Sequence, residues 1–508
     1  MNRNKKLLLN SATSVIYQVL TVICGFILPR LYLSHYGSEV NGLITSIAQF
    51  LGFISLAELG VGAVVQSALY KPLADKNNDE ISRIVLSAKR FYRKIAIFLV
   101  VYVIALVIIY PKISSSSFDY WFIVSLLLII SISTFMQYFI SMPYRLLLNA
   151  DQVGYVFVAI QIITLVFNTA ISSVLIILGL DVRIVRFVAA IVFLMQPAGL
   201  SLYVNRHYNL NMKIKLDGEP IKQKWNGFTQ HVAAVVLDKT DVAVLTLFST
   251  LKNVSIYHVY YMVVYGIYSL IQAATSGLQS FWGNMYAKEE KKELIASFDY
   301  FEWLLHAVIT FLFTCTGLLI VPFVKLYTAG ISDANYIIPS FGVMLTLSYS
   351  IISIRIPYFA IVKAAGHYKQ TQFSALIEAV LNIIISISLV FKYELLGVAI
   401  GTFIAMLYRT TYFVWYLSKN IINRPVNRFI QRILIDILTL SLSILFSSLI
   451  KIQVNSVGSW IFLALMTLVV VGAIVVIINF IFNRKVVLAS YRILKKRLNM
   501  SLAPWNLK

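Results

Sequence analysis

The sequence predicts an all-α polytopic membrane protein with about fourteen transmembrane helices. Of its 508 residues, 59% are hydrophobic and 13% are charged, whereas soluble globular proteins carry about 25% charged residues. Apolar runs such as 160–180 and 460–482 recur along the chain, and about 20 apolar residues let a helix cross a bilayer. The widest polar gaps, 71–94 and 205–226, are loop-sized and too short for a soluble domain.

The apolar runs place the helices in order along the chain. The predicted spans lie near 8–33, 41–69, 94–111, 119–142, 155–179, 184–204, 229–250, 255–284, 302–326, 336–361, 371–391, 395–418, 432–450 and 459–482. The short links at 179–184 and 391–395 rest on a few residues, among them Asp181 and Glu394. The first run follows a basic start, but it is too long for a signal peptide and lacks a small-residue cleavage pattern, so we expect a retained helix.

The basic residues orient these spans, because Lys and Arg in short loops favour the cytoplasmic side. With both termini inside, 32 of the 43 Lys and Arg lie in predicted cytoplasmic segments, and every predicted external loop holds one or none. The net charge of +22 therefore reflects topology, and we expect no nucleic-acid binding. Cys24 and Cys315 both lie in apolar runs, so we expect neither a disulfide framework nor a cysteine metal site.

An internal repeat divides the chain. Segment 143–172 aligns without gaps on 357–386, and the identical pairs include Pro143-Tyr144 with Pro357-Tyr358 and Asn168 with Asn382. The matched spans are six apart, so the halves enter the membrane the same way round as parallel repeats. The matched prolines predict a kink, static or hinged, in two equivalent helices.

The repeat predicts the domain organisation. We predict an N-terminal six-helix lobe, a cytoplasmic inter-lobe loop, a C-terminal six-helix lobe, and a last region with two additional helices and a basic cytoplasmic tail. These cover residues 1–210, 211–227, 228–420 and 421–508.

Three motifs carry a resemblance to a known family. They are Leu-Ala-Glu-Leu-Gly-Val-Gly at 56–62, Asp-Lys-Thr-Asp at 238–241 with Tyr257 opening the next span, and Asn-Ala-Asp at 149–151. Together with six plus six plus two helices and short loops, they resemble the polysaccharide-transporter branch of the multidrug/oligosaccharidyl-lipid/polysaccharide (MOP) exporter superfamily, over nearly the whole chain.

The resemblance implies a V-shaped, MOP-like pair of lobes and a Wzx-type flippase. Such a protein moves undecaprenyl-diphosphate-linked oligosaccharide from the inner to the outer leaflet of the bacterial cytoplasmic membrane by alternating access, for capsule, O-antigen or teichoic-acid assembly. Its partners would be the lipid-linked oligosaccharide and membrane lipids, and could include a glycan polymerase and other assembly proteins.

Basic residues inside the spans are candidates for binding an anionic substrate. An ionisable group at mid-membrane costs at least about 2.5–3.5 kcal/mol, so each one suggests a function. Guanidinium and ammonium groups bind phosphate oxygens, and the candidates are Lys239, Arg355, Arg409 and Arg30. Arg30 could instead snorkel to the outer headgroups.

Acidic residues inside the spans are candidates for ion coupling: Asp238, Asp241, Glu58 and Glu378. Asp238 and Asp241 stand three residues apart on one helix face and could hold a proton or a sodium ion, or could only neutralise Lys239. Glu58 and Glu378 could instead form structural ion pairs with the arginines. No cofactor and no metal centre is predicted, and Na⁺ or H⁺ is the candidate coupling ion.

The chain is predicted to be a transporter and not an enzyme. It has no phosphate-binding loop, dinucleotide fingerprint, His-Glu-x-x-His motif or nucleophile elbow. One alternative is a cation-coupled multidrug exporter of the same superfamily, whose cationic substrates would prefer a cavity dominated by carboxylates. Another is a membrane-embedded glycan polymerase or ligase, which would need larger external loops.

Overall fold

The computed structural model describes residues 3–58, 60–114, 117–212, 214, 228–450, 452–484, 486 and 487, and this part of the chain is helical without a strand. The helices of the first half are α1 (Arg3–Gly52), α2 (Val61–Ala74), α3 (Asn78–Ile113), α4 (Tyr120–Met136), α5 (Met142–Ala150), α6 (Gly154–Ile177), α7 (Val182–Phe193) and α8 (Met195–His207). Those of the second half are α9 (Phe228–Phe248), α10 (Leu251–Thr275), α11 (Leu278–Ala287), α12 (Lys291–Tyr327), α13 (Pro339–Ile354), α14 (Ile356–Ala364), α15 (Tyr368–Asn420), α16 (Asn427–Ser447) and α17 (Val457–Phe482). A 3₁₀ helix, Phe53–Glu58, follows α1, and a π-helical turn, Gln137–Ser141, joins α4 to α5.

The two longest helices, α1 and α15, each consist of two rods. Gly37 interrupts α1 with φ 84°, and Glu394 interrupts α15 with φ 46°. Positive φ ends a right-handed helix; glycine adopts it freely, whereas other residues rarely do. The Glu394 carboxylate accepts a hydrogen bond of 3.0 Å from the Asn253 amide, which anchors the turn. The break at Glu394 falls in the link predicted at 391–395.

The helices account for the predicted spans. Eleven helical stretches of the described chain are long and apolar enough to cross a membrane, and two of them contain the breaks at Gly37 and Glu394. The seventh predicted span is α9, which has 21 residues and carries Asp238, Lys239 and Asp241. The fold is therefore that of an all-α, multi-pass membrane protein with about fourteen spans, as predicted.

The outer faces of the helices are apolar, as a lipid environment requires. On α17, Val469, Val476 and Ile481 are 67%, 64% and 63% exposed. Soluble proteins rarely expose contiguous apolar surface on this scale. Leu126 and Leu147, in contrast, are fully buried in the core of the first eight helices.

Both matched prolines stand at a break between helices. Pro143 lies in the first turn of α5, directly after the π-helical turn, and Pro357 lies in the first turn of α14, after a break at Arg355. Proline has no N–H to donate, so it is tolerated in a first turn and interrupts a continuous helix. Both matched prolines therefore coincide with an interruption of the regular α-helical pattern, at matching places in the internal repeat.

The structure forms two compact units. The first comprises the described residues of Met1–Ala273, Tyr327–Leu345 and Tyr368–Arg409, and the second those of Ala274–Leu326, Thr346–His367 and Thr410–Lys508. The predicted lobes, 1–210 and 228–420, were drawn from the internal repeat and stay a prediction. Most of the inter-lobe loop 211–227, Leu59, and the basic tail beyond 487 lie outside the described residues.

Candidate functional site

A polar cavity of about 500 Å³ lies within the first unit. The second rod of α1, the 3₁₀ helix, α4 with its π-helical turn, α9 and α10 all contribute to its lining. The polar residues that line it are Ser55, Thr134, Gln137, Tyr138, Asp238, Lys239 and Tyr265. One predicted substrate-binding residue and one predicted ion-coupling residue therefore face the same cavity.

Lys239 is the cation of this cavity. Its Nζ lies 2.7 Å from Oδ2 of Asp238, and the two side chains are 22% and 44% exposed. A Cβ at Gly52 would lie 2.9 Å from Lys239 Cε, so the glycine leaves room for the lysine to cross the helix. An exposed ion pair is worth about 1 kcal/mol or less, so the ammonium can exchange Asp238 for an anionic ligand.

Asp241 is buried, with 4% exposure, and is surrounded by neutral partners. Thr402 Oγ1 lies 2.8 Å from both carboxylate oxygens, Tyr257 donates a hydrogen bond of 2.9 Å, and the Asn382 amide donates one of 3.3 Å. Asn382 Oδ1 is buried and has no hydrogen-bond partner in the described chain. The group can therefore hold a proton, or it can offer oxygen ligands to a small hard cation.

The two aspartates of α9 face different surroundings. Asp238 is exposed in the cavity, whereas Asp241 is buried against α10 and α15. They are close in sequence, but the helix turns only one of them toward the cavity. Among the described residues no group of three or more His, Cys, Asp or Glu could hold a metal ion, so a cation at Asp241 would depend on neutral oxygens.

Glu378 and Arg409 form a buried ion pair. Arg409 Nη1 lies 2.5 Å from Glu378 Oε2, and the side chains are 6% and 0% exposed. Both residues belong to α15, on opposite sides of the break at Glu394, so the pair joins the two rods of this helix. This is the structural ion pair that was one of the two predicted roles of Glu378.

The other predicted site residues do not line the polar cavity. Arg30 donates a hydrogen bond of 2.7 Å to the Ala329 carbonyl, and Glu58 accepts one of 2.7 Å from Tyr138. Arg355 is buried between α13 and α14 in the second unit. Of Arg30, Lys239 and Arg409, which share the first unit, only Lys239 lines the polar cavity.

A mainly apolar groove of about 370 Å³ lies in the same unit, lined by α1, α6 and α10. Val22, Phe26 and Leu165 are among its apolar residues. Three polar atoms that line it, Thr21 Oγ1, Thr169 Oγ1 and His258 Nδ1, are buried without a hydrogen-bond partner in the described chain. Tyr265 lines both the groove and the polar cavity, so the two adjoin each other.

The second unit contains a buried charge cluster that local sequence spacing does not indicate. Glu302 is fully buried and accepts two hydrogen bonds from Arg424, one of 2.8 Å, and another from Tyr358. Burial alone would lower the pKa of the Arg424 guanidinium, but the hydrogen bonds and charge of Glu302 outweigh it, so the pKa is raised. Arg424 lies in the predicted cytoplasmic loop between 418 and 432, where it counts only toward topology, and Glu302 is the first residue of the predicted span 302–326.

Arg186 is a second residue that the sequence did not single out. It lies in α7, and its guanidinium stacks over the Tyr32 ring at 4.6 Å from the centroid. Its Nε is buried without a hydrogen-bond partner in the described chain. The sequence does indicate it in one way: Arg186 is a charged residue that lies two residues inside the predicted sixth span.

The sequence matches no protein-family model and no curated protein. Solved structures match it by fold. The lipid II flippase MurJ, in an inward closed conformation, has a TM-score of 0.71 at 17% identity and covers 95% of this chain and 100% of its own. An inward-facing multidrug resistance MATE family transporter of the MOP superfamily has a TM-score of 0.64 at 12% identity, covering 80% and 98%.

A third solved structure, the eukaryotic MATE transporter AtDTX14, has a TM-score of 0.56 at 13% identity, covering 82% of this chain and 94% of its own. The chain thus has the fold that MurJ and the MATE transporters share. At these identities the likeness describes the fold, and the site residues rest on their own geometry.

The Glu378–Arg409 pair predicts a specific pattern of stability. Arg409→Leu removes the ion-pair partner of the buried Glu378 carboxylate, and breaking a buried pair costs about 3–5 kcal/mol, so we expect a clearly lower melting temperature of the purified protein in detergent. Glu378→Leu should act similarly. The double variant removes both charges and should regain most of the loss; single variants that melt like the wild type would contradict the pairing.

Proposed function

We propose that the protein is a Wzx-type flippase that moves undecaprenyl-diphosphate-linked oligosaccharide from the inner to the outer leaflet of the bacterial cytoplasmic membrane. Transport would proceed by alternating access, with both termini cytoplasmic. The product would supply assembly of a capsule, O-antigen or teichoic-acid type polysaccharide.

The observation that carries this proposal is the adjacency of the polar cavity and the apolar groove at Tyr265. A polyprenyl-diphosphate sugar is an amphiphile with a large polar head and a long hydrocarbon tail. Exposing a CH₂ group to water costs about 0.8 kcal/mol, so the tail needs an apolar path, which the groove provides, while the head occupies the cavity. A wholly polar substrate would have no use for the groove.

We assign the diphosphate to Lys239 in the conformation that the structure describes. Its ammonium lies in the cavity with only Asp238 as its ion-pair partner among the described residues, and lysine binds phosphate as a point charge. Arg30, Arg355 and Arg409 are proposed to contact the diphosphate at other steps. Arg409 would then have to exchange Glu378 for phosphate.

Asp241 is the residue that we assign to the coupling ion. Its carboxylate is buried beside the Thr402 hydroxyl and the Asn382 amide, so binding Na⁺ or H⁺ would neutralise a charge that the membrane disfavours. Asp238, Glu58 and Glu378 are proposed to assist. The membrane potential would add about 2.3 kcal/mol per charge for each 100 mV.

A cation-coupled multidrug exporter is the second candidate. Asp238, 44% exposed in the cavity, could attract a cationic drug, and a multidrug resistance MATE family transporter shares the fold. The flippase is favoured because Lys239 lies beside that carboxylate and offsets its charge. The fold is also shared with MurJ, a lipid II flippase.

Lys239→Gln should slow flipping. A hydrogen bond to a charged group is worth about 1.5–3 kcal/mol, so we expect a loss of about tenfold or more. The measurement uses proteoliposomes that contain a fluorescent polyprenyl-diphosphate oligosaccharide, whose exposure in the outer leaflet is read by a membrane-impermeant quencher. Lys239→Arg keeps the charge and should retain most activity.

The matched control for this assay is Lys252→Gln, because Lys252 is an exposed lysine at the start of α10 and does not line the cavity. It should flip the lipid like the wild type. If Lys239→Gln flips as fast as this control while Asp238→Asn abolishes export of a cationic dye, the exporter is the correct function.

Asp241→Asn should remove ion coupling. The amide keeps the shape of the carboxylate but cannot be protonated or neutralise a cation, so flipping by the variant should no longer respond to a sodium or pH gradient. Gradients imposed across the same proteoliposomes measure this, with Asp79→Asn, at an exposed aspartate in the first turn of α3, as the control that keeps its response. A variant with an unchanged response would exclude Asp241 as the coupling site.

A further inference from the structure

A second polar cavity, of about 490 Å³, lies within the second unit. It is bordered by α12, by the loop before α16, by α16 and by the end of α17. Its charged lining residues are Asp299, Arg424, Arg428 and Arg432. This cavity is formed by residues of the second unit, whereas the polar cavity and the apolar groove described above are formed by residues of the first.

The arginines of this cavity outnumber the carboxylates that line it. Arg428 Nη1 lies 2.5 Å from Oδ2 of Asp299, and Arg424 binds Glu302, which lies behind the lining. Arg432 Nε lies 4.0 Å from Glu302 Oε2. Arg432 Nη1 donates a hydrogen bond to Oδ1 of Asn483, which is a neutral partner. The cavity therefore presents more guanidinium than carboxylate to an incoming ligand.

Asp436 does not line the cavity, although its charge acts on Arg432. It stands four residues beyond Arg432 on α16, and its oxygens are taken by Nδ1 of His306 at 2.5 Å and by the Thr310 hydroxyl at 2.8 Å. The four-residue spacing of Arg428 and Arg432 puts both on one face of the helix. Arg428 is 52% exposed and Arg432 is 16% exposed, so a ligand can reach both.

Apolar surface adjoins these arginines. Leu434 and Phe482 line the cavity and are 60% and 56% exposed. On α16 the exposed surface continues through Ile437 and Leu445, which are 53% and 61% exposed and stand on the same helix face as Leu434. A ligand bound here would meet guanidinium groups at one end and hydrocarbon along the helix.

We propose that this cavity binds the phosphate of an anionic phospholipid. Arg428 and Arg432 contact the phosphate oxygens, because guanidinium groups bind phosphate bidentately, and the acyl chains lie along Leu434 and Ile437. Basic pockets between transmembrane helices on the cytoplasmic side are suited to such headgroups, and this side is the predicted cytoplasmic one. The proposal does not rest on the transported substrate.

The bound lipid would join α12, α16 and α17. A ligand that binds the folded state stabilises it according to its concentration and affinity, so the lipid should raise the melting temperature of the protein. The stabilisation should require both the negative charge and the acyl chains.

The experiment compares melting temperatures of the purified full chain in neutral detergent with added phosphatidylglycerol or with phosphatidylcholine of the same acyl chains. We expect phosphatidylglycerol to raise the melting temperature by several degrees more than phosphatidylcholine does. The double variant Arg428→Gln with Arg432→Gln should bind phosphatidylglycerol at least about fivefold more weakly, since it lacks two charge-assisted hydrogen-bond donors. Arg90→Gln, at an exposed arginine of α3, should respond like the wild type.

Two further arms decide the source of the phosphate. Glycerol phosphate at the same concentration should stabilise the protein far less; equal stabilisation that is lost in the double variant would indicate a free phosphate ester and overturn the lipid proposal. If the double variant does not fold, two other measurements test the proposal. The wild type should be stabilised more by phosphatidylglycerol than by phosphatidylcholine, and the single variant Arg428→Gln, at an exposed arginine, should bind phosphatidylglycerol more weakly than the wild type. Equal stabilisation by both phospholipids overturns the proposal.

Discussion

The structure depends on one constraint: inside a bilayer no water is present to solvate a charge, so each charge needs a partner within the protein. The described chain meets this constraint in different ways. Glu378 and Arg409 neutralise each other, Glu302 is held by Arg424 and Tyr358, and Asp241 has only neutral partners nearby. Paired charges stabilise the helices in place. A carboxylate with neutral partners is left able to gain a cation, which is the property that a coupling site needs.

The same constraint underlies the proposed binding of an amphiphile. The polar cavity keeps Lys239 and Asp238 accessible. The adjoining groove presents mostly apolar side chains, with a few polar atoms that have no hydrogen-bond partner in the described chain. Tyr265 stands where they meet, and its ring has both an apolar face and a polar hydroxyl, as suits such a boundary. Because both compartments lie within one unit, the separation of polar from apolar surface is a property of that unit's own helices.

The sequence predicted the helices well and the partners of the charges poorly. Hydrophobic runs and loop charges are local signals, so they located the spans and even the link near Glu394. The partners of Asp241 come from 16 to 161 residues away in the sequence, and local spacing instead paired it with Asp238, which the helix turns to the cavity. Arg424 was counted as a loop charge for topology, because nothing in its local sequence indicates that it binds Glu302. Helix packing decides these contacts, and a single sequence does not encode them in its periodicity.

We propose that one lipid-linked oligosaccharide places its head in the polar cavity and its tail in the groove. Photocrosslinking tests it directly, with a photoreactive residue at Gln137 in the cavity, at Leu165 in the groove, or at Phe167, which is 53% exposed on the same helix as Leu165. The account predicts that a labelled polyprenyl-diphosphate oligosaccharide is captured at 137 through its sugar and at 165 through its tail. Excess unlabelled lipid should compete at these two positions and not at 167. Equal, non-competed capture at 165 and 167, with none at 137, would contradict it.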